Sequence, residues 1–263
     1  MNKNLDMKVL ILAGGFGSRI SEESGIRPKP MVEIGNKPIL WHIMKYYSFF
    51  GFNDFVILLG YKGNIIKEYF ANYYLNQNSV EINLASNQMR LVNKQVENWK
   101  VTLLDTGENA LTADRLFKAR NIIGNNRFMF TYGDGVSDVD INKLLLSHEE
   151  KNKKITMTLV QPESRFGLLT FDENNEVNGF QEKPKKKNEW INGGFFICEP
   201  EVFNYIDSTK SEPFEKAPLE KLAFEKEING FKHTGFWKCM DTLNDKNQLN
   251  DIWNLGNPPW KNW

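Results

Sequence analysis

Cysteine and histidine are scarce in this chain, which has two of the former and three of the latter among 263 residues. Cys198 and Cys239 are too few for a disulfide framework or a cysteine-based zinc site. The histidines match neither an H-x-x-x-H metal pattern nor a Ser-His-Asp arrangement. We therefore expect no zinc-hydrolase or catalytic-triad chemistry, and the low cysteine content favours a reducing, cytoplasmic location.

An excess of either charge is also missing, because 33 Lys and Arg residues balance 33 Asp and Glu residues. Nucleic acids and anionic membranes are usually bound by a basic excess, so neither is an expected partner. No apolar run approaches the roughly 20 residues of a membrane span, and the N-terminal MNKNLDMKV lacks a signal-peptide core. Any phosphate binding must then come from a local arrangement of residues.

Apolar runs and helical patterns alternate along the first half of the chain. The strand-like runs lie at 8–13, 54–60, 101–107 and 127–135, and the helical patterns at 38–51, 64–75 and about 112–123. This alternation is typical of a Rossmann-like, doubly wound α/β sheet.

The remaining segments have other patterns. Residues 76–100 are polar, show no helical period and predict a β-hairpin excursion from the sheet. After residue 154 short strands predict a mixed sheet, and helical stretches near 200–207, 217–228 and 242–255 predict a C-terminal helical lobe.

A glycine-rich loop follows the first apolar run in the sequence LILAGGFGSRI, with Gly14, Gly15 and Gly17. Ile20 stands where a dinucleotide-binding fingerprint requires its third glycine, and no G-x-x-x-x-G-K-[ST] sequence occurs. Closely spaced N–H groups without Cβ atoms can bind an anion directly. The loop is thus either a structural corner or a phosphate cradle.

Two cations near this loop favour the phosphate interpretation. Arg19 offers a planar fork for phosphate oxygens, and Lys29, ten residues further on, offers a mobile point charge.

Two acidic residues are candidate metal ligands. Asp134, in FTYGDGV, follows a strand-like run at the position where open α/β sheets bind ligands. Asp241, in MDT, is the second candidate. Two carboxylates with phosphate oxygens and water suit Mg²⁺, although Asp134 alone is equally typical of a turn cap.

Two further motifs have alternative interpretations. Glu182 and Lys183 in FQEKP are either ligand-binding residues or a solvated charge pair. Asn192, Gly193 and Gly194 either let a sugar approach the backbone or form a turn.

Taken in order, seven segments resemble the sugar-1-phosphate nucleotidylyltransferase family from about residue 7 to the C-terminus. They are LAGGFGSRI, KPMVEIGNKPILWHIMK, DTG, YGDG, FQEKP, INGGFF and FWKCMDT. The second of these, with YKGNIIKEYFANY and PPWKNW, resembles the cytidylyl branch that acts on glucose 1-phosphate.

The resemblance implies transfer of a cytidylyl group from CTP to glucose 1-phosphate, giving CDP-glucose and pyrophosphate for 3,6-dideoxyhexose, O-antigen or related surface-polysaccharide synthesis. It implies one domain over 1–263, with 7–135 binding nucleotide and 136–263 binding sugar phosphate. It also implies Mg²⁺ as cofactor and a homo-oligomer, trimer or hexamer. UTP or dTTP, or another sugar 1-phosphate, is the alternative within the class. A catalytically inactive nucleotide-sugar binder and a dinucleotide-dependent oxidoreductase are alternatives outside it.

The resemblance also implies roles for individual residues. The catalytic residues would be Arg19, Lys29, Asp134 and Lys183, and the metal ligands Asp134 and Asp241. The nucleotide residues would be Leu12, Ala13, Gly14, Gly15, Gly17, Ser18, Arg19, Lys29, Thr112 and Arg115. The sugar-phosphate residues would be Tyr132, Gly133, Glu182, Lys183, Asn192 and Gly193. The chain departs from the family pattern at Ser18, commonly threonine, and at Ala113 and Asp114, commonly glycines.

Overall fold

The computed structural model describes residues 7–92, 96–162, 168–181 and 189–263. The strands are β1 (Lys8–Ala13), β2 (Glu33–Ile34), β3 (Lys37–Pro38), β4 (Asp54–Leu59), β5 (Val80–Asn83), β6 (Gln88–Leu91), β7 (Lys100–Asp105), β8 (Phe128–Tyr132), β9 (Gly135–Ser137), β10 (Ile155–Val160), β11 (Leu168–Phe171), β12 (Val177–Gln181), β13 (Ile191–Cys198), β14 (Ile228–His233) and β15 (Trp237–Cys239). The α-helices are α1 (Ser21–Ser24), α2 (Ile39–Phe49), α3 (Gly63–Ala71), α4 (Tyr73–Gln77), α5 (Thr112–Lys118), α6 (Arg120–Ile123), α7 (Ile141–Lys151), α8 (Ala217–Phe224) and α9 (Leu243–Asn254). Short 3₁₀ segments cover Ser18–Ile20, Lys29–Met31 and Pro200–Tyr205.

One seven-stranded sheet organises the molecule, in the order β14-β10-β13-β8-β1-β4-β7. Its strands are parallel except β13, which runs antiparallel to both β10 and β8. The amino end of β13 therefore lies at the edge where the other strands have their carboxyl ends. The mixed α/β sheet confirms the predicted fold class.

Both faces of the sheet are covered by helices, as the uninterrupted apolar run of β1 requires. Val9 and Ile11 belong to a buried cluster that includes residues of α2 and α9, whereas Leu10 and Leu12 belong to a second cluster with α5 and α8. The helices α8 and α9 thus pack on opposite faces.

The hairpin excursion predicted within residues 76–100 is present, because β5 and β6 pair antiparallel outside the main sheet.

The prediction of a helix over 217–228 was wrong at its end. α8 ends at Phe224, Lys226 adopts a left-handed φ of 58°, and Ile228 begins the edge strand β14. None of the helices in the described part of the chain has the length and apolar character needed to span a bilayer.

The C-terminal segment is fixed to α2 by Trp260, which is fully buried. Its ring stacks on Phe236 with centroids 5.4 Å apart, and its Nε1 donates to His42 Nδ1 at 3.4 Å. His42 Nε2 contacts the Ile34 carbonyl oxygen at 2.8 Å. Burial lowers the pKa of His42 to about 4, so the ring is neutral at pH 7 and supports the packing of Trp260.

Replacing this anchor should be costly. We expect Trp260→Ala to lower the free energy of unfolding by about 3–5 kcal/mol, since it removes a large buried aromatic side chain. Phe224→Ala is the control, because Phe224 is 89% exposed and its loss should change stability by less than about 0.5 kcal/mol. Chemical denaturation measures both; equal effects of the two substitutions would contradict the buried-anchor interpretation.

Candidate active site

A cavity of about 310 Å³ lies at the carboxyl edge of the sheet, beside the ends of β1 and β8 and the start of α5. Its lining includes all ten residues expected at the nucleotide: Leu12, Ala13, Gly14, Gly15, Gly17, Ser18, Arg19, Lys29, Thr112 and Arg115. Tyr132, Gly133 and Asp134 line it as well. Sequence reasoning missed Phe16, Pro30 and residues 109–111, which complete the lining. Phe16 and Pro30 lie within the quoted segments LAGGFGSRI and KPMVEIGNKPILWHIMK, but their side chains carry no polar group.

Two of the loop glycines are required by the structure. Gly17 has a φ of +64°, in the left-handed region that glycine tolerates best. A Cβ on Gly14 would lie 2.2 Å from Arg115 Nη1, so any side chain there would displace the guanidinium. A Cβ on Gly15 would meet no other atom within 4 Å, and Gly15 lines the cavity.

Arg115 supports the glycine loop through hydrogen bonds. Its side chain is buried, and Nη2 donates to the Gly14 carbonyl oxygen at 2.9 Å. Nη1 donates to the carbonyl oxygens of Leu59 and Gly107, both at 2.9 Å. Further bonds reach Thr106 Oγ1 and the Glu108 carbonyl oxygen. The guanidinium thus joins the ends of β1, β4 and β7, and its contacts in this structure are with the protein, next to the expected nucleotide.

A compact cluster of four ionic side chains borders the cavity: Arg19, Lys29, Asp134 and Asp241. Lys29 Nζ lies 2.6 Å from Asp134 Oδ2 and 2.6 Å from Asp241 Oδ1. Arg19 Nη1 contacts Asp241 Oδ2 at 2.8 Å. Burial acts to lower the pKa of Lys29, but the two carboxylates outweigh it and raise that pKa above its ordinary value. The expected catalytic and metal-binding residues, apart from Lys183, therefore lie in one cluster.

Local structure accounts for the meeting of the two aspartates. Asp134 lies in the turn between β8 and β9, and β9 pairs with β15, which directly precedes Met240 and Asp241. The Met240 N–H donates to the Asp134 carbonyl oxygen at 2.8 Å. Thr242 and Asp245 then form a capping box at the start of α9, and Asp245 also accepts from the Asp241 N–H. This cap fixes the backbone of Asp241.

The sugar-side candidates lie at the start of β13. Asn192 Nδ2 donates to the Tyr132 hydroxyl at 2.9 Å, and Trp237 Nε1 donates to the Gly193 carbonyl oxygen at 2.7 Å. Gly133 packs so closely that a Cβ would lie 2.6 Å from the Leu12 carbonyl oxygen. The fold thus brings Asn192 to the Tyr132 side of the cavity. Glu182 and Lys183 lie outside the described residues.

Sequence reasoning also missed Glu215, which accepts hydrogen bonds from Tyr132 and Thr112. It lies in the polar segment SEPFEK, which has no recognisable motif, and only the fold brings it to the cavity. Nowhere in the described part of the chain do three or more His, Cys, Asp or Glu side chains form a group suited to a metal ion.

Known proteins resemble this chain in sequence over most of its length. Residues 8–249 match the nucleotidyl transferase family. The chain is 49% identical over 258 residues to the glucose-1-phosphate cytidylyltransferase of Salmonella typhi, covering 98% of this chain and 100% of that one. The same identity and coverage hold for the enzyme of that name from Salmonella typhimurium strain LT2.

A solved structure shares the fold. It is that of a UDP-glucose pyrophosphorylase complexed with UDP-glucose, with a TM-score of 0.67 at 15% identity, covering 95% of this chain and 98% of that one. The family match spans the glycine loop, both aspartates and the start of β13. The chain therefore belongs to the nucleotidyl transferase family.

Proposed function

We propose that this chain transfers the cytidylyl group of CTP to α-D-glucose 1-phosphate, forming CDP-glucose and releasing pyrophosphate. The observation that carries the proposal is the 49% identity, over nearly the whole chain, to proteins named for that activity. The ion cluster and the glycine loop support the same reaction class. Residues 7–135 would bind the nucleotide, and 136–263 the sugar phosphate.

The proposed reaction joins two anions. An oxygen of the sugar phosphate attacks the α-phosphorus of CTP, a new P–O bond forms, and the bond to the leaving pyrophosphate breaks. The attacking phosphate is already ionised near pH 7, since its second pKa is about 6, so no general base is required. None of the described residues that line the cavity is a histidine, which is compatible with this chemistry.

The protein's contribution is then electrostatic stabilisation and orientation. Arg19 and Lys29 would neutralise charge on the phosphoryl oxygens, and the N–H groups of the Gly14–Gly17 loop would bind the triphosphate. Lys183 would orient the sugar phosphate, Glu182 would bind sugar hydroxyls, and Asn192 with Gly193 would contact the ring.

The cofactor proposed is Mg²⁺, held by Asp134 and Asp241. The donor set fits, because both carboxylates converge on one ammonium group and Mg²⁺ commonly takes one or two protein carboxylates together with phosphate oxygens and water. The ion would supply additional stabilisation of the charge on the phosphates.

We further propose a cytoplasmic homo-oligomer, trimer or hexamer, that supplies dideoxyhexose, O-antigen or related surface-polysaccharide synthesis. The exposed apolar side chains of the β5–β6 hairpin support self-association, since Ile82 and Met89 are each 56% exposed.

Substrate identity is tested by pyrophosphate release over a panel of CTP, UTP, dTTP, ATP and GTP with several sugar 1-phosphates. We expect CTP with glucose 1-phosphate to give the highest kcat/KM, by at least about tenfold, which corresponds to one good discriminating contact. A higher kcat/KM with UTP or dTTP would refute the cytidylyl assignment while keeping the reaction class.

The role of Asp134 is tested by Asp134→Asn, which keeps the size of the side chain and removes its charge. We expect kcat to fall at least about 100-fold, the scale of losing one electrostatic stabiliser. The matched control is Asp54→Asn at the opposite edge of the sheet, where Lys8 Nζ lies 2.6 Å from Asp54 Oδ2. Near-normal turnover by folded Asp134→Asn protein would reject the assignment.

The metal is tested by removing it. Excess EDTA should abolish pyrophosphate release, and added Mg²⁺ should restore it. Undiminished turnover in EDTA would show that the two carboxylates serve only to pair Lys29.

A further inference from the structure

Glu215 lies in the loop before α8 and accepts hydrogen bonds from two cavity residues. Its Oε2 accepts from Thr112 Oγ1 at 2.6 Å, and its Oε1 accepts from the Tyr132 hydroxyl. One carboxylate therefore joins the first residue of α5 to the last residue of β8. Glu215 itself does not line the cavity.

The Thr112 bond fixes one wall of the cavity. Thr112 Oγ1 also accepts from the Phe214 N–H at 2.7 Å, so its hydroxyl is held from two directions by the loop that carries Glu215. Residues 109–112 line the cavity beside the glycine loop. Their position relative to a bound nucleotide thus depends on the Glu215 loop.

The Tyr132 bond extends the network to Asn192, at the start of β13. The Tyr132 hydroxyl accepts from Asn192 Nδ2 at 2.9 Å, and Asn192 Oδ1 accepts from the Gly194 N–H at 2.8 Å. A continuous series of hydrogen bonds runs from Thr112 through Glu215 and Tyr132 to Asn192.

We propose that Glu215 is a positioning residue for both substrates, holding the Thr112 wall for the nucleotide and the Tyr132–Asn192 pair for the sugar phosphate. The proposal rests on the function proposed above and adds a residue that acts through others. The carboxylate offers one acceptor oxygen to each of the two hydroxyl donors. An amide provides only one, and its NH₂ group would face the second hydroxyl.

The test is Glu215→Gln, which keeps the size of the side chain and removes one acceptor. We expect KM to rise by about tenfold for the substrate on the side that loses its acceptor, the scale of one lost hydrogen bond to a charged acceptor. The KM for the other substrate should rise by a smaller factor, because a neutral amide oxygen is a weaker acceptor than a carboxylate oxygen. kcat should change by less, because Glu215 does not contact the reacting phosphates.

The matched control is Glu225→Gln. Glu225 Oε2 accepts from the Tyr205 hydroxyl, so this substitution removes the same type of tyrosine–carboxylate bond at an exposed position away from the cavity. Its KM values should stay within about twofold of wild type, the range expected for a surface change.

Two further substitutions test the Thr112 bond and the Tyr132 bond separately. They remain informative if Glu215→Gln fails to fold. Thr112→Val should raise chiefly the nucleotide KM, and Tyr132→Phe chiefly the sugar-phosphate KM. Glu215→Gln should raise both. Unchanged KM values in all three variants, or a lower melting temperature with unchanged KM values, would overturn the proposal.

The kinetic comparison of the variants tests the role of Glu215 independently of which substrates the protein uses. Every variant is measured with the substrate pair that the wild type uses fastest, so a wild type that prefers UTP refutes the cytidylyl assignment and leaves the Glu215 comparison valid. Without turnover by the wild type, calorimetric titration with CTP and with glucose 1-phosphate gives the same comparison, and equal affinities for wild type and Glu215→Gln overturn the proposal.

Discussion

The pairing of Lys29 with two carboxylates is the interaction on which the candidate site depends. A site for two polyanions needs positive charge before they arrive, and desolvation of an ammonium group without partners lowers its pKa. Asp134 and Asp241 maintain that charge at distances of 2.6 Å each. The same carboxylates are the proposed metal ligands, so the cluster balances charge in the free protein and provides the donors that a cation would use.

Two polar side chains, the buried Arg115 and the partly buried Glu215, hold the surrounding loops in place. Arg115 joins the ends of three parallel strands to the glycine loop through backbone carbonyl oxygens, which satisfies its donors and fixes the path of Gly14. Glu215 does the equivalent for Thr112 and Tyr132, through their hydroxyl groups.

Local features of the sequence were sufficient for the fold class and much of the cavity. The strand β1 and the glycine loop after it are specified by residues that are neighbours in the sequence, and the structure places both as expected. The end of α8 was mispredicted because INGFKH has weak alternation and competes with a helical pattern.

Contacts between distant residues were harder to anticipate. The meeting of Asp134 with Asp241 requires the pairing of β9 with β15, which no local pattern reveals. Glu215 contacts residues 83 and 103 positions away, so its role becomes visible only in the fold. Arg115 was expected at the nucleotide, but the sequence cannot show that backbone carbonyl oxygens already occupy its Nη hydrogens.

The central claim is that a sugar-phosphate oxygen attacks the α-phosphorus of CTP within this cavity. The most direct measurement uses glucose 1-phosphate labelled with ¹⁸O at the non-bridging phosphate oxygens, with the products examined by ³¹P NMR and mass spectrometry. The mechanism predicts that all the label remains in CDP-glucose, with one labelled oxygen in the diphosphate bridge and none in pyrophosphate. Label in pyrophosphate, or release of CMP without CDP-glucose, would contradict it.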